Sequence, residues 1–371
     1  MKKPVVVLGA SGYTGQLVME SLAECGIPFV AAGRSASRVE AAAAGVPGIE
    51  GADYEVVEVD VDRQRLNEVF TGSRVVCNTV GPFLKLAAPV VEAAIEAGCH
   101  YIDTAGEQPW LFRAKDAYHE AFAENGRVLA PSTAALYTTA DIAVSLAREL
   151  VPGADSLDVF NYLNGTPTAA STQSIFDLLR SPAYRLQDNQ LVAWDPTIVY
   201  HATSPADSEV IPAAPWGGTS LPAWYLDDPQ IRNVKALTGW MSRGLVSTVV
   251  DIGKQVLERA EGKDEAALIA FLEETAHGIQ AGVPQRENPR INRYCDSATV
   301  RSTLNAAQVA LFGHSAYRQT GLYMATAASL LLGGAFRRTG FTSPCATFGH
   351  HALLEPQTQA GMLRPVTIFQ S

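Results

Sequence analysis

The sequence has few cysteines, no concentration of positive charge and no apolar run long enough for a membrane. Its five cysteines, Cys25, Cys77, Cys99, Cys295 and Cys345, are scattered over 371 residues, and none forms a C-x-x-C pair. The chain opens without a signal-peptide h-region. These absences point to a reduced, cytoplasmic compartment, with the cysteines as small buried residues. The net charge is −10 and no basic stripe is evident, which argues against nucleic acid as a partner. An anionic cofactor must then be held by local groups, against the overall field. The longest apolar stretch, near Met324 to Phe336, falls short of the ~20 residues a bilayer requires. It reads as a core helix, and no stable membrane insertion is expected. No internal repeat or low-complexity run is present.

What is there is a well-filled globular chain. Hydrophobic residues make up 47% and charged residues 18%, and the length suits two domains. The organising stretch is the first fifteen residues. Pro4 to Leu8 is a short apolar strand that runs into Gly9-Ala-Ser-Gly12-Tyr-Thr-Gly15 and then a helical pattern. Strand, glycine turn and helix open a dinucleotide-binding βαβ unit. Gly9 permits the tight turn, Gly12 lets the backbone approach a pyrophosphate, and Gly15 packs the helix on the strand. Ser11, Tyr13 and Thr14 fill the same turn and are counted with it as cofactor contacts. The second strand, Pro28 to Ala32, ends in Gly33-Arg34-Ser35, with Arg38 one helical turn on. A carboxylate here would accept from a ribose 2′-hydroxyl. An arginine fork suits a 2′-phosphate instead, so NADP(H) is the expected cofactor. Asp60 and Asp62 close the third strand, Tyr54 to Val59, and either line the adenine pocket or cap the next helix. The fourth strand, Ser73 to Thr79, stops at Gly81-Pro82-Phe83, a loop expected over the inner half of the cofactor.

Strand and helix continue to alternate. Helix Pro89 to Gly98, strand His100 to Asp103, helix Trp110 to Asn125 and strand Arg127 to Ala130 complete a doubly wound parallel sheet. The pattern changes near Pro131. Asp141 to Leu150 reads as a helix and Leu157 to Leu163 as a strand. A helix follows at Ser171 to Leu179. Ser181 to Asp228 reads as strands and loops and holds three of the five tryptophans. Val234 to Thr238 is a strand, Leu245 to Arg259 and Glu265 to Gln280 are helices, and Ala298 to Phe312 is one strand-like run. Tyr317 to Gly333 is a long Ala- and Leu-rich helix. The fold class is therefore α/β: a Rossmann doubly wound parallel sheet, a second α+β substrate domain, and a C-terminal segment returning to the first domain. The expected bounds are 1–132, 133–316 and 317–371, with substrate between the two domains.

Four stretches carry a family resemblance: Gly9-Ala-Ser-Gly-Tyr-Thr-Gly15, Ala32-Gly-Arg34-Ser35, Gly81-Pro-Phe83 and Tyr101-Ile-Asp103-Thr-Ala-Gly106-Glu107. In order and spacing they resemble the saccharopine dehydrogenase-like oxidoreductases, including the enoyl-reductase-like branch. The resemblance covers roughly residues 4–145. A looser match returns in Thr320 to Gly349, a segment that folds back on the nucleotide domain in such proteins. The sequence departs from the family at Ala87, at Lys85 and Leu86, and in Ser132 to Asp141, on the expected nicotinamide and substrate side. The resemblance implies an NADPH-dependent reductase of a C=C or C=N bond. The alternatives are NADP-linked oxidation of a secondary amine and a non-catalytic NADP(H)-binding sensor.

Proton handling narrows the candidates. None of the twelve tyrosines has Lys four residues later, which excludes the short-chain dehydrogenase pair. No cysteine lies in Ser132 to Asp141, which argues against a thioester route. Lys85, Tyr137 and Asp103 remain as catalytic candidates. Lys85 also reads as a solvated lysine, Asp103 as a helix cap and Tyr137 as a packed ring. Glu107 is expected to bind backbone amides. His314 with Tyr317 and Arg318 reads either as cleft-facing or as a surface loop. His350-His351 lacks a third ligand at metal spacing, so no metal is expected. The expected partner is a small-molecule substrate, and a homodimer is compatible with the sequence.

Overall fold

The computed structural model describes residues 2–165, 167–215, 219–241, 243–261, 265–278 and 287–371. The chain begins with β1 (Val5–Leu8), α1 (Tyr13–Glu24), β2 (Phe29–Gly33), α2 (Ala36–Ala43), β3 (Tyr54–Glu58), α3 (Arg63–Phe70) and β4 (Val75–Asn78). It continues through α4 (Phe83–Glu96), β5 (His100–Asp103), α5 (Gln108–Glu124), β6 (Val128–Ala130) and α6 (Tyr137–Leu150). Then come β7 (Ser156–Leu163), α7 (Ala169–Leu178), β8 (Tyr184–Gln187), β9 (Gln190–Ala193), β10 (Tyr200–Thr203) and β11 (Val210–Ala214). After α8 (Ser220–Tyr225) follow β12 (Asn233–Trp240), α9 (Arg243–Glu261), α10 (Glu265–Gly278), β13 (Arg293–Arg301) and β14 (Ala306–His314). The chain closes with α11 (Ala316–Leu332), β15 (Gly340–Phe341), α12 (Pro344–Phe348), α13 (His350–Gln359) and β16 (Leu363–Gln370).

Two compact units divide this list. The first holds Met1–Ile142 and Ala316–Met362, the second Ala143–Ser315 and Leu363–Ser371. The first unit carries a seven-stranded sheet in the order β15-β6-β5-β4-β1-β2-β3, parallel throughout. Its order reverses beside β1, between β2 and β4. That is the switch point where doubly wound sheets bind ligands outside the carboxyl ends of their strands. β1 lies inside the sheet between β4 and β2, and Val5, Val6 and Val7 are fully buried, as a strand covered on both faces requires. Side-chain caps start the peripheral helices. The Ser35 hydroxyl accepts from Arg38 N ahead of α2, and Asp62 Oδ1 accepts from Arg65 N at 3.0 Å ahead of α3. α11 packs on α1, where a Cβ on Gly321 would stand 2.4 Å from the Leu17 carbonyl oxygen.

The second unit is built on a mixed nine-stranded sheet. The order β10-β11-β12-β7-β13-β14-β16 forms its path, with β8 pairing β12 and β9. One face buries Phe160, Tyr162, Ile211, Ala213, Cys295 and Ala310 together. On the other, Trp240 and Ala214 pack under Val246 and Val250 of α9. Helices α7, α9 and α10 share a small core of Phe176, Ile252, Val256, Leu268 and Leu272.

The structure moves several expected boundaries. The first unit runs to Ile142 rather than 132, because residues 132–141 are tied into it. Thr133 N donates to the Asp103 carbonyl, Ala135 N to Thr320 Oγ1, and Cys345 N to Asp141 Oδ2. The segment 317–371 does not return whole. Its end, β16, adds to the second sheet by antiparallel pairing with β14. The single strand-like run at Ala298 to Phe312 is a hairpin of β13 and β14, turned where Asn305 N donates to Ser302 Oγ. α4 starts at Phe83, six residues before the expected Pro89, which lies inside it. α6 likewise starts at Tyr137 rather than Asp141. The helix expected to reach Gln280 is described to Gly278, and its last two residues lie outside the described set.

Candidate functional site

The carboxyl ends of β1, β4, β5 and β6 bring the sequence motifs of the first unit together. After β1, Gly9 takes φ +88°, a backbone state L side chains rarely adopt. A Cβ there would lie 2.6 Å from Thr79 Oγ1. At Gly15 a Cβ would lie 2.2 Å from the Gly9 carbonyl oxygen, so the helix sits against the turn. Gly12 is exposed, and a Cβ on it would meet only the Gly9 carbonyl, at 3.2 Å. It is the N-cap of α1, and no side chain caps that helix. An exposed, side-chain-free helix start is what a pyrophosphate needs. The cradle therefore fits a dinucleotide. Ser11 and Thr14 are half-buried in the same turn, and Gln16 Nε2 braces it through the Ser11 carbonyl at 3.2 Å. Tyr13, also half-buried, is the first residue of α1. Its ring meets Tyr317 of α11 edge-on, with centroids 5.4 Å apart.

At the far end of the turn side, Arg34 follows β2 and is exposed, as is Arg38. Among the described residues neither side chain makes an ion pair. Ser35 caps α2, so its hydroxyl is already in use. Asp60 is exposed and accepts from its neighbour Val61 N at 2.8 Å. It shapes the turn that follows β3. The sequence reading missed Glu58, which ends β3 beside Gly33 and accepts from Ala36 N at 2.9 Å.

The other motifs lock to each other. Glu107 is buried, and its two carboxylate oxygens accept from Phe83 N and Leu84 N, each at 2.8 Å. It thus caps α4 and fixes the Gly81-Pro82-Phe83 loop. Gly81 is exposed, Pro82 half-buried and Phe83 buried. Lys85 stands exposed on the first turn of α4.

Asp103 is fully buried, which corrects its place among the catalytic candidates. Oδ1 accepts from Ala105 N and Ser132 N, both at 2.9 Å. Oδ2 accepts from the Tyr101 hydroxyl at 3.0 Å and Trp110 Nε1 at 3.2 Å. Burial raises its carboxyl to about 6, against the pull of these four donors. The Tyr101 hydroxyl in turn accepts from Asn78 Nδ2 at 2.9 Å. With every oxygen committed, Asp103 positions the ends of β5 and β6 and touches no open space. One residue it holds, Ser132, is at φ +63°. Leu136, just before Tyr137, is at φ +73°. Non-glycine residues in this region are strained, and such strain collects at functional sites.

Tyr137 is half-buried and leans on Gly106. A Cβ on Gly106 would lie 1.7 Å from its phenol oxygen. Burial raises this phenol above its usual range, and the nearby Tyr317 and Glu107 push the same way. Gly106, Glu107, Tyr137 and Tyr317 thus form one cluster, joined to the glycine turn by the Tyr13–Tyr317 contact. Tyr317, at the start of α11, belongs to the first unit. Its place beside Tyr137 is set by a contact no local spacing reveals. Cys77 and Cys99 are buried, and burial raises both thiols, Cys99 to about 11, so neither is a ready nucleophile.

Residues 5–129 match the saccharopine dehydrogenase NADP binding domain. Residues 138–370, more than half of the chain, match a family of unknown function, DUF5938. The chain belongs to that family, on a saccharopine dehydrogenase-like frame. A mouse saccharopine dehydrogenase-like oxidoreductase is 32% identical over 183 residues, 45% of this chain and 40% of its own length. A trans-acting enoyl reductase of Mycobacterium bovis is 32% identical over 125 residues, 33% of this chain and 30% of its own. The chain thus spans well under half the length of these relatives. Saccharopine dehydrogenase (L-Glu forming) from Saccharomyces cerevisiae shares the fold at a TM-score of 0.62 and 16% identity. That likeness covers 98% of this chain and 99% of the yeast one. Among the described residues no helix is long and apolar enough to cross a membrane.

Proposed function

We propose that this DUF5938 protein is an NADPH-dependent reductase that adds hydride to a C=C or C=N bond of a small, partly apolar substrate. The observation that carries the reading is the tyrosine seat. Tyr137 lies against Gly106 and beside Tyr317, whose ring meets Tyr13 of the glycine turn. A bound NADPH would supply the hydride, as the cofactor does in all such chemistry. The chain's own residues then have separate tasks. The Gly9–Gly15 turn and the start of α1 would hold the pyrophosphate. Arg34, with Arg38, would favour the 2′-phosphate. Phe83, fixed by Glu107, would bound the inner side. Tyr137 would give a proton to the carbon or nitrogen left electron-rich by hydride addition, its raised phenol leaving as phenolate only as that charge develops. Lys85, exposed at the mouth of the same loop, would attract an anionic substrate group. The proposed setting is the cytoplasm, with a small molecule as the partner.

The test is a turnover screen on the full chain. NADPH absorbance should fall with enones or with imines, and Tyr137→Phe should slow that fall by about 10²- to 10⁴-fold while leaving cofactor binding intact. NADP+ with secondary amines forms the second arm, and reduction there instead would mark the oxidative reading. Tight NADPH binding with no change in any arm would make the protein a cofactor-binding sensor.

A further inference from the structure

The β2–α2 turn carries opposed charges. Arg34 and Arg38 are exposed and unpaired among the described residues, and both belong to the stretch expected to meet the adenosine ribose. The parallel pairing of β2 and β3 sets Glu58 beside Gly33, and Val59 N donates to the Gly33 carbonyl at 2.9 Å. From there the Glu58 carboxylate reaches Ala36 N at 2.9 Å, at the first residue of α2. It does not turn to either arginine. In sites for the unphosphorylated cofactor, an acid at the end of β2 takes the ribose 2′-hydroxyl. Here the turn after β2 has no acid of its own, and the carboxylate arrives from the next strand. Ser35 already caps α2 through Arg38 N, so Glu58 is not needed to start the helix.

We propose that Glu58 is the second half of the cofactor selector. Its carboxylate takes the 2′-hydroxyl of NADH and opposes the 2′-phosphate that Arg34 and Arg38 attract. The site is thereby held to a moderate, salt-sensitive preference rather than an absolute one. This rests on the reading of the first unit as an NADP(H) site. The physics is direct: an anion near a phosphate raises the cost of binding it, and at an exposed position salt screens that cost.

The experiment measures binding of NADPH and NADH to the full chain and to Glu58→Gln, at low and high salt. Glutamine keeps an acceptor for Ala36 N, so thermal unfolding should not move. The NADPH-to-NADH affinity ratio should rise about tenfold at low salt, and by less at high salt. An unmoved ratio, or equal loss for both cofactors, would overturn the proposal and leave Glu58 as a helix cap. A wild-type chain that binds neither dinucleotide would overturn the cofactor reading itself, and this proposal with it.

Discussion

Glu107 holds Phe83 across 24 positions of sequence, its Oε1 accepting from the Phe83 amide at 2.8 Å. With Oε2 on Leu84 N, this one buried carboxylate joins the Tyr101–Glu107 motif to the Gly81–Phe83 motif. Their co-occurrence in the sequence thus has a mechanical cause. Replacing Glu107 by Gln keeps the size but leaves only one acceptor for two amides. An unsatisfied buried donor costs about 1–3 kcal/mol. For a unit of this size that lowers the melting temperature by roughly 2–4 °C per kcal/mol. Calorimetry on Glu107→Gln should show such a drop, together with weaker NADPH binding as the loop loosens. An unchanged melting temperature would mean that the clamp is not energetically needed.

Tyr137 and Gly106 should behave as one unit. A methyl group at Gly106 would fall 1.7 Å from the phenol oxygen and 2.2 Å from the ring carbon that bears it. The ring must then leave its seat. If Tyr137 donates the proton, Tyr137→Phe should cut kcat by about 10²- to 10⁴-fold, the usual worth of general acid catalysis. Gly106→Ala should cost a similar factor, and the double variant should be no worse than either single one. Additive losses would mean that Gly106 matters for some reason other than seating Tyr137.

These two residues also show what a sequence discloses. The glycine turn was legible because its whole logic lies within fifteen residues: strand, turn and helix follow one another without a partner from elsewhere. The alternation through Ala130 was legible for the same reason. The start of α4 was not, because its cap is Glu107, and a local search places the helix start at Pro89. Asp103 reads as a site residue because sequence shows a carboxylate at a strand end but not the four donors that occupy it. Glu58 is not legible in the sequence, because an acid on β3 serves the β2–α2 turn only once the two strands are paired. The hairpin of β13 and β14 reads as one strand in the sequence because alternation runs on through Ser302 to Asn305 with no glycine or proline to mark the turn.

Arg34 should decide between phosphorylated and unphosphorylated cofactor. It is exposed beside the turn, and no carboxylate pairs with it among the described residues. Arg34→Ala should weaken NADPH by about 10- to 100-fold, the worth of a charge-assisted contact, and leave NADH nearly unaffected. Fluorescence titration of both cofactors reads this directly. Equal weakening would show that Arg34 supports the turn rather than the phosphate.

Asp296 gives the second unit a built-in pH dependence. It lies in a row across three adjacent strands, where register sets Thr238, Asn161 and Asp296 side by side. All three are buried. Asn161 Nδ2 donates to Asp296 Oδ1 at 2.6 Å, while Oδ2 has no hydrogen-bond partner among the described residues. Burial pushes this carboxyl up to about 8, and the single donor only partly opposes it. The folded chain therefore binds this proton more tightly than the unfolded chain, whose carboxyl titrates near 4. The stabilisation is complete below about pH 4 and declines as pH rises, until it is gone above about pH 8. At alkaline pH the fold must bury a carboxylate or release the strand, a cost of roughly several kcal/mol. Asp296→Asn removes the titration and keeps an acceptor for Asn161. Wild type should lose melting temperature between about pH 5 and about pH 9 by more than the variant does, and the variant should be the more stable of the two at the upper end. Parallel melting curves across that range would show that Asp296 does not change its charge on unfolding.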